Sequence, residues 1–458
     1  MLLIYEKYFP LSQGGDMSEM FFMQVIVVAI AIVIGAKLGG AGLGMAGGAG
    51  LFVLTFVFGL KPAAPPIDVM LIITAVVTAA ATLQAGGGLD LLVNLAEKLL
   101  RKHPKHITFL APIVTYLSTI FCGTGYVSLC LYPVIAEVAT EAGIRPERPM
   151  SIALVANQQA ITASPLSAAV AAMLVVMAPF GITLGTILSV TLPATIIGCF
   201  IGALSVYNKG KELLDDPEYQ KKVANGEIQK IEPGKFTERK ITKSAKLSVI
   251  IFCFFIAAIV LFGSFRDLSP SWMIDGKKVS LSIPEILEIL MLLASCIMVL
   301  CCKISPANVI KNSVFQSGMM GVVSVFGIAW MMDTFFTANR QLFIDALSGV
   351  VAQYPFLFAA VLFFFSSIFF SHGATVRAIM PLGLTLGISP NNLVAMLTAT
   401  SGYFFIPTGG LTIACVAFDR TGTTKIGNYI LNHSFMRPGL ITLVTSLIIA
   451  FGMIQIVM

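Results

Sequence analysis

Apolar runs long enough to cross a bilayer recur from one end of this chain to the other. A spanning helix needs about 20 consecutive apolar residues, and a helix satisfies its own backbone hydrogen bonds in hydrocarbon, where water cannot. Only 11% of the 458 residues are charged, against about 25% in soluble domains. The sequence therefore predicts an all-α polytopic membrane protein. The eight cysteines lack metal-ligand spacing, so neither a metal nor a cofactor is expected.

A long polar stretch divides the sequence into two membrane halves. Residues 1–20 are mostly polar and are interpreted as an N-terminal extension without a signal peptide, with Met17 as an alternative start. Residues 207–246 carry charges of both signs and few apolar side chains, which is typical of a linker. The predicted organisation is a first membrane repeat over 21–206, a cytoplasmic linker over 207–246 and a second membrane repeat over 247–458.

The two halves contain similar short motifs with glycine, serine or proline, and the motifs occur in the same order. Three pairs of features correspond: "STIFCGTG" (118–125) with "SSIFFSHG" (366–373), "GIRP" (143–146) with "GISP" (387–390), and "ITASP" ending at Pro165 with "FFIPT" containing Pro407. Chance could supply one such match, but not a series in order. The pattern therefore indicates an internal duplication.

The positions of the basic residues predict how the chain is threaded. Lys and Arg near short loops prefer the cytoplasmic side, and one threading places most of the 29 basic residues there, with both termini outside. It requires 107–142 to enter from the cytoplasm and return, and 355–388 to enter from outside and return. The halves are then inverted-topology repeats, each with a re-entrant helical hairpin and a broken transmembrane helix, which is typical of secondary transporters.

Two hairpin tips and two helix breaks are expected to meet at membrane depth. A new helix follows each of them, and its free N–H groups and partial positive charge favour an anion. Ser164 is the predicted N-cap at the first break, with Pro165 at the first helical position. The predicted substrate-binding residues are Gly123, Thr124, Gly125, Asn157, Thr162, Ser164, Pro165, Ser371, His372, Gly373, Thr375, Arg377, Ser401, Pro407 and Thr408.

Caps are predicted at the other three helix starts as well. Thr124 is the candidate at the first tip, either Ser371 or Thr375 at the second tip, and Thr408 at the second break. One or more of the polar residues at 157–159 is expected to face the ligand, because a polar side chain there must face protein and not lipid.

Arg377 lies in one of the most apolar parts of the chain, one turn after the second tip. A guanidinium can hold a carboxylate through two parallel hydrogen bonds, and charge inside a membrane usually serves function. Arg377 is therefore predicted to bind substrate; the alternative is a structural arginine. His372 could contact the substrate, take up a proton or cap the helix. Acidic residues, Asp333 among them, are expected near the membrane surfaces, so the predicted ligand is an anion.

The chain resembles the Dcu family of anaerobic C4-dicarboxylate carriers over nearly its whole length after the N-terminal extension. The resemblance rests on "PPIDVMLIITAVVTAAATLQAGGGLD" (65–90), "IRPERPMS" (144–151), "AITASPLSAAV" (160–170), "GIAWMMDTF" (327–335) and "DRTGTTKIGNYILNHSF" (419–435). It implies an inner-membrane exchanger that takes up fumarate, malate or aspartate and releases succinate in anaerobic respiration. It also implies kinship with elevator-type transporters. The second tip, "SHGA", and the second break, "IPTGG", depart from the family's usual sequences, which leaves the preferred dicarboxylate open.

Other functions were weighed against exchange. A proton- or sodium-coupled dicarboxylate carrier is the alternative within transport. An enzyme is disfavoured because the four histidines are scattered, with no HExxH motif, and a passive channel is disfavoured by inverted repeats with closed polar tips. The expected partners are a small-molecule dicarboxylate and the lipid bilayer, with no nucleic acid, and the sequence leaves a homo-oligomer open.

Overall fold

The structure, a computed structural model, describes most of the chain. The described residues are 17–38, 41–226, 241–275, 277–343, 345, 353–369, 371–407, 409–426 and 432–457. Most of the N-terminal extension, part of the linker and Thr408 lie outside these ranges, so the predictions made for them have no structural counterpart.

The first half is built from nine helices within the described residues. They are α1 (Met17–Leu38), α2 (Gly42–Phe52), α3 (Ile67–Ala85), α4 (Gly88–Lys102), α5 (Ile107–Cys122), α6 (Tyr132–Glu141), α7 (Glu147–Ile161), α8 (Ala168–Met177) and α9 (Leu184–Val206). A π-helical turn over Val53–Val57 extends α2, and a 3-10 segment over Gly125–Cys130 separates α5 from α6. The first hairpin is therefore α5 and α6, and the first broken helix is α7 and α8.

A short helix follows in the predicted linker, and the second half contains two short strands and further helices. The elements are α10 (Pro217–Ala224), α11 (Lys243–Ser264), β1 (Ser271–Ile274), β2 (Lys277–Ser280), α12 (Ile283–Cys302), α13 (Pro306–Lys311), α14 (Ser313–Ser324), α15 (Trp330–Ala338), α16 (Phe358–Phe369), α17 (His372–Thr385), α18 (Pro390–Met396), α19 (Gly410–Phe418) and α20 (Met436–Val457). A π-helical turn over Val325–Ala329 joins α14 to α15. The second hairpin is α16 and α17, and α18 and α19 flank the second break.

The strands β1 and β2 correct the all-α prediction. They pair antiparallel, with Ser271 opposite Ser280, in the connection between α11 and α12. Asp275 adopts a left-handed backbone conformation at φ 52°, which allows a tight reversal. The strand residues include Trp, Ile and Val, which favour extended backbone. A two-stranded hairpin is too short to produce a clear alternation signal within such an apolar sequence.

Seven helices in the described part of the chain are long and apolar enough to cross a membrane. They cover Ile67–Ala85, Pro104–Cys122, Leu184–Val206, Lys243–Ser264, Ile283–Cys302, Ser313–Ala338 and Met436–Val457. Large apolar side chains such as Phe200, Leu300 and Ile448 are exposed on these helices, as expected of surfaces that face lipid. These spans confirm the prediction of a multi-pass membrane protein.

Small residues let pairs of helices approach closely. A Cβ atom added to Gly44 of α2 would lie 2.0 Å from the Val323 carbonyl oxygen, and one added to Gly202 of α9 would lie 2.0 Å from the Thr442 hydroxyl of α20. Helices in lipid associate through such close packing, because burial of apolar surface gives no advantage there. These contacts fix how α2 meets α14 and how α9 crosses α20.

Hydrogen bonds join several segments that lie far apart in the sequence. Arg148 Nε donates to the Lys209 carbonyl at 2.8 Å, and Lys222 Nζ donates to the Thr421 carbonyl at 3.3 Å. Asn339 Nδ2 donates to Gln24 Oε1 at 2.7 Å. The first two of these bonds connect basic segments predicted to be cytoplasmic.

Candidate functional site

A cavity of about 240 Å³ lies where the two hairpin tips meet the two helix breaks. Six of the predicted tip residues line it: Gly123, Thr124, Gly125, Ser371, His372 and Gly373. The break regions contribute Gln158, Leu166, Ala168, Tyr403, Gly410 and Thr412. The structure therefore brings together the segments that the sequence analysis placed at membrane depth.

The wall opposite the tips is formed by α1, α2, α3 and α14. It consists almost entirely of glycine and aliphatic side chains, namely Gly35, Leu43, Ile73, Val76, Val77, Gly318, Gly321 and Val325, with Ser324 as the polar exception. The polar groups of the cavity are thus concentrated on the side of the tips and breaks. No lysine, arginine or carboxylate stands among the described residues that line the cavity.

The first tip depends on the backbone of Gly123. This residue ends α5 with φ +67°, and its N–H donates to the Thr119 carbonyl at 2.9 Å. A Cβ atom there would lie 2.7 Å from the Leu166 carbonyl oxygen, so only glycine fits without strain. Thr124 follows in an extended conformation, and its hydroxyl accepts the Tyr126 N–H at 3.4 Å. The predicted cap at Thr124 is confirmed.

Asn157 holds the first tip from behind and does not line the cavity. Its Nδ2 donates to the Gly125 carbonyl at 3.1 Å and to the Tyr132 hydroxyl at 3.3 Å, while its Oδ1 accepts the Thr119 hydroxyl at 2.5 Å. The amide is fully buried. Asn157 therefore fixes the position of the tip backbone relative to α7.

Ser164 also connects the first break to the hairpin. Its hydroxyl donates to the Ile120 carbonyl of α5 at 2.8 Å. The predicted N-cap at Ser164 is wrong: α8 begins later, and Ser167 caps it by accepting the Val170 N–H at 3.1 Å. The reason is that a turn precedes the helix: the Ser164 hydroxyl accepts the Leu166 N–H at 3.3 Å, and Pro165 lies in this turn before α8.

At the second tip, the helix α17 is capped by a residue of the tip itself. Ser371 is extended, and its hydroxyl accepts the Ala374 N–H at 3.2 Å, which starts α17. The predicted cap at Ser371 is confirmed. The alternative candidate, Thr375, donates its hydroxyl to the Ser371 carbonyl at 2.9 Å. Thr375 is thus turned back along its own helix and does not line the cavity.

Two buried polar atoms that line the cavity lack a hydrogen-bond partner in the described part of the molecule. They are His372 Nε2 and Gln158 Oε1. The His372 ring packs edge-on against Tyr403, with ring centroids 4.2 Å apart. Buried polar atoms nearly always have partners in native proteins, so these two indicate a place where a ligand or water completes the site.

Arg377 does not line the cavity. Its Nε donates to Asp333 Oδ2 on α15 at 3.4 Å, and the two side chains are 23% and 14% exposed. The sequence analysis placed Asp333 near the outer surface and did not pair it with Arg377. The structure joins the second hairpin to α15 through this ion pair.

The remaining predicted residues lie around the cavity without lining it. Thr162 donates its hydroxyl to the Gln159 carbonyl at 2.8 Å. Ser401 is buried, and its hydroxyl has no partner within the described residues. Pro407 is the last described residue before Gly409, which is the N-cap of α19.

Sequence reasoning missed the two tyrosines of the cavity, Tyr126 and Tyr403. Each follows closely on a tip or break motif, Tyr126 after "CGTG" and Tyr403 within "SGYF". Tyrosine combines an apolar ring with a polar hydroxyl. Its position directly beside a helix interruption is the signal that could have identified both residues.

Each tip packs against the first turn of the helix that follows the break of the other half. A Cβ atom added to Gly125 would lie 3.1 Å from Leu411 of α19, and one added to Gly373 would lie 3.1 Å from Ala168 of α8. The starts of α8, α17 and α19 therefore all reach the cavity. Their N-terminal N–H groups and helix dipoles supply positive potential to a site that has no charged side chain among its described lining residues.

Comparison with known proteins gives one family over nearly the whole chain. A family model described as anaerobic C4-dicarboxylate membrane transporter matches residues 20–458. The C4-dicarboxylate transporter DcuA of Escherichia coli strain K12 is 42% identical over 438 residues, covering 95% of this chain and 99% of its own. The anaerobic C4-dicarboxylate transporter DcuB of E. coli O6:H1 is 40% identical over 432 residues, covering 92% and 96%.

A solved structure shares the fold. The YdaH transporter of Alcanivorax borkumensis superposes with a TM-score of 0.52 at 16% sequence identity, covering 95% of this chain and 97% of its own. At this identity the likeness establishes a common architecture and leaves substrate and mechanism to the site itself.

Proposed function

This chain belongs to the family of anaerobic C4-dicarboxylate membrane transporters, and we propose that it exchanges C4-dicarboxylates across the bacterial inner membrane. In this proposal fumarate, malate or aspartate enters and succinate leaves. The family consists of transporters and not of enzymes, and the chain is a multi-pass membrane protein. The observation that carries the proposal is the cavity between the tips and breaks.

The chemistry of the cavity suits a small dianion. Three helix starts reach it, and helix N-termini attract carboxylates through free N–H groups and the helix dipole. We propose that 123–125 binds one carboxylate and 371–373 the other, with His372 Nε2 donating a further hydrogen bond and Gln158 Oε1 accepting one from a water molecule. Asn157 and Ser164 position the first tip instead of contacting substrate.

Arg377 is given a positioning role in this proposal, because its guanidinium is directed to Asp333. Thr162, Pro165, Thr375, Ser401 and Pro407 are likewise proposed to shape the breaks and the second tip from behind.

We also propose that 21–206 and 247–458 are inverted repeats joined by a cytoplasmic linker over 207–246, and that tips and broken helices move as one body in an elevator motion. The reciprocal packing of each tip on the other half supports a repeat. The opposite wall of α1–α3 and α14 is mostly apolar and rich in glycine. Such a wall can slide past the tips without breaking many hydrogen bonds.

Counterflow in proteoliposomes tests the exchange. Vesicles loaded with succinate should take up labelled fumarate without any imposed ion gradient, while empty vesicles should not. A comparison of malate, aspartate and citrate as external substrates of the same vesicles would rank them. Uptake into empty vesicles that depends on a proton or sodium gradient would replace exchange with the coupled-carrier alternative.

Two substitutions test the site in the same assay. Thr124→Val removes a hydroxyl, and His372→Phe removes both ring nitrogens while keeping a ring against Tyr403. A hydrogen bond to a charged group contributes about 1.5–3 kcal/mol, so each variant should raise the half-saturation concentration about tenfold to a hundredfold.

Thr183→Val is the matched control for Thr124→Val. Thr183 caps α9 by accepting the Thr186 N–H at 3.2 Å, and it does not line the cavity. The Thr183→Val variant should lose a helix cap without a change in the half-saturation concentration. If both Thr124→Val and His372→Phe keep the wild-type half-saturation concentration, the tips do not bind the substrate.

A further inference from the structure

The helix α4 lies between two membrane spans and carries a mixed apolar and basic stripe. It follows the span Ile67–Ala85 and precedes the span Pro104–Cys122, so it lies at the membrane surface. Leu95 and Leu99 are 54% and 38% exposed, and Lys98 and Lys102 are exposed beside them. Residues at these spacings share one helix face.

The opposite face of α4 is fixed to the protein. Val93, Ala96 and Leu100 are buried in a cluster with residues of α5 and α6. The exposed stripe therefore has a defined direction relative to the hairpin, and it is not free to turn its leucines inward.

Arg101 separates the charges of this region. Its guanidinium donates to Glu97 at 2.9 Å, to Glu137 at 2.8 Å and to Glu141 at 2.7 Å. The three carboxylates are thereby drawn toward one cation. The exposed polar side chains at 98–106 are Lys98, Lys102, His103, Lys105 and His106.

The basic surface is continuous with a surface that faces lipid. Ile113 and Leu117 are exposed on α5, and Ile113 follows Lys105 by eight residues, or about 12 Å along a helix. We infer from this spacing that the lysines lie at the depth of the phospholipid headgroups and the two apolar side chains at acyl-chain depth.

We propose that Leu95, Leu99, Lys102 and Lys105 form a docking surface for anionic phospholipid headgroups of the adjoining leaflet. The leucines would enter the boundary between headgroups and acyl chains, as in interfacial amphipathic helices, and the lysines would meet the phosphates. The proposal does not depend on the transported substrate. Because Arg101 joins α4 to α6, a bound lipid would also hold the cytoplasmic end of the first hairpin.

The test uses the purified full chain in neutral detergent. Dioleoylphosphatidylglycerol should raise the thermal unfolding temperature, and dioleoylphosphatidylcholine should not. A lysine near an anionic surface contributes about 1 kcal/mol, so Lys102→Gln with Lys105→Gln should weaken the response to phosphatidylglycerol roughly thirtyfold in lipid concentration. Native mass spectrometry should show fewer retained anionic lipids on this variant.

Lys211→Gln with Lys221→Gln is the charge-matched control. Both lysines are exposed in the predicted linker and lie outside α4. This variant should keep the wild-type response. Leu95→Ser with Leu99→Ser should weaken the response while all lysines remain.

Three outcomes would overturn the proposal. One is an unchanged response to phosphatidylglycerol in the Lys102 and Lys105 variant. Another is equal stabilisation by phosphatidylcholine, which would show that charge has no part. The third is equal stabilisation by inorganic phosphate, which would indicate a site for soluble anions.

Discussion

The two hairpin tips can be aligned without gaps, from Ser118 with Ser366 to Leu129 with Arg377, but they are held in different ways. The first tip turns on a left-handed glycine and is fixed by the side-chain amide of Asn157. The second tip turns at Ser371, which caps its own helix.

The difference extends to what each tip presents to the cavity. The first offers backbone groups and the Thr124 hydroxyl, and the second offers His372, whose Nε2 has no partner in the described residues. The ion pair of Arg377 also belongs to the second hairpin alone, because its counterpart is Leu129. One tip thus depends on backbone shape and the other on side-chain chemistry.

The largest expected difference in stability and transport is between substitutions at Gly123 and at its counterpart, Ser371. Gly123→Ala places a Cβ atom 2.7 Å from the Leu166 carbonyl oxygen at a φ that costs an L-residue about 1–2 kcal/mol. Steric conflict adds to this cost, so the variant should unfold at clearly lower temperature and lose transport. Ser371→Ala removes a cap and should cost about 1 kcal/mol.

Thermal unfolding in detergent and counterflow measure both variants. Gly125→Ala is a useful intermediate, since its Cβ would meet Asn157 at 3.0 Å without a left-handed φ. Equal losses for Gly123→Ala and Ser371→Ala would contradict the distinction between the two tips.

Much of the fold can be predicted from the sequence, because the bilayer allows few residue types and few backbone conformations. Apolar length predicts the spans, and glycine, proline and serine within apolar runs predict the tips and breaks. The strands β1 and β2 were not predicted, because a four-residue strand in an exposed connection depends on one turn at Asp275 and not on a periodic pattern.

The site is less completely predictable for a different reason. Polar side chains at a break must find partners, but the sequence does not say whether the partner is a ligand or the neighbouring backbone. Asn157 and Ser164 bond to the first hairpin, while Gln158 lines the cavity. Likewise, Arg377 and Asp333 are 44 positions apart on separate helices, so their pairing depends on tertiary packing.

The ion pair offers the second test of the contrast. Arg377→Met or Asp333→Leu alone leaves a partly buried charge without its partner and should destabilise the protein. The double variant should recover part of the loss, with a coupling energy of about 0.5–3 kcal/mol. Thermal unfolding of the four proteins gives this coupling.

Counterflow by the double variant then separates structure from binding. Retained succinate affinity would agree with a structural arginine. A hundredfold loss of affinity in a well-folded double variant would return Arg377 to the substrate site and remove the positioning role proposed above.

The smallest expected effect concerns Thr375, whose counterpart in the first tip is Val127. Thr375→Val removes the hydroxyl bond to the Ser371 carbonyl, but that oxygen still accepts the Thr375 N–H at 3.0 Å. No buried acceptor is left without a donor, so the cost should be at most about 1 kcal/mol. Thr119→Val at the first tip removes the donor to Asn157 Oδ1, which should cost about 1–3 kcal/mol. Thermal unfolding should therefore rank Thr119→Val below Thr375→Val in stability. The reverse order would mean that the second tip, and not the first, depends on its buried hydrogen bonds.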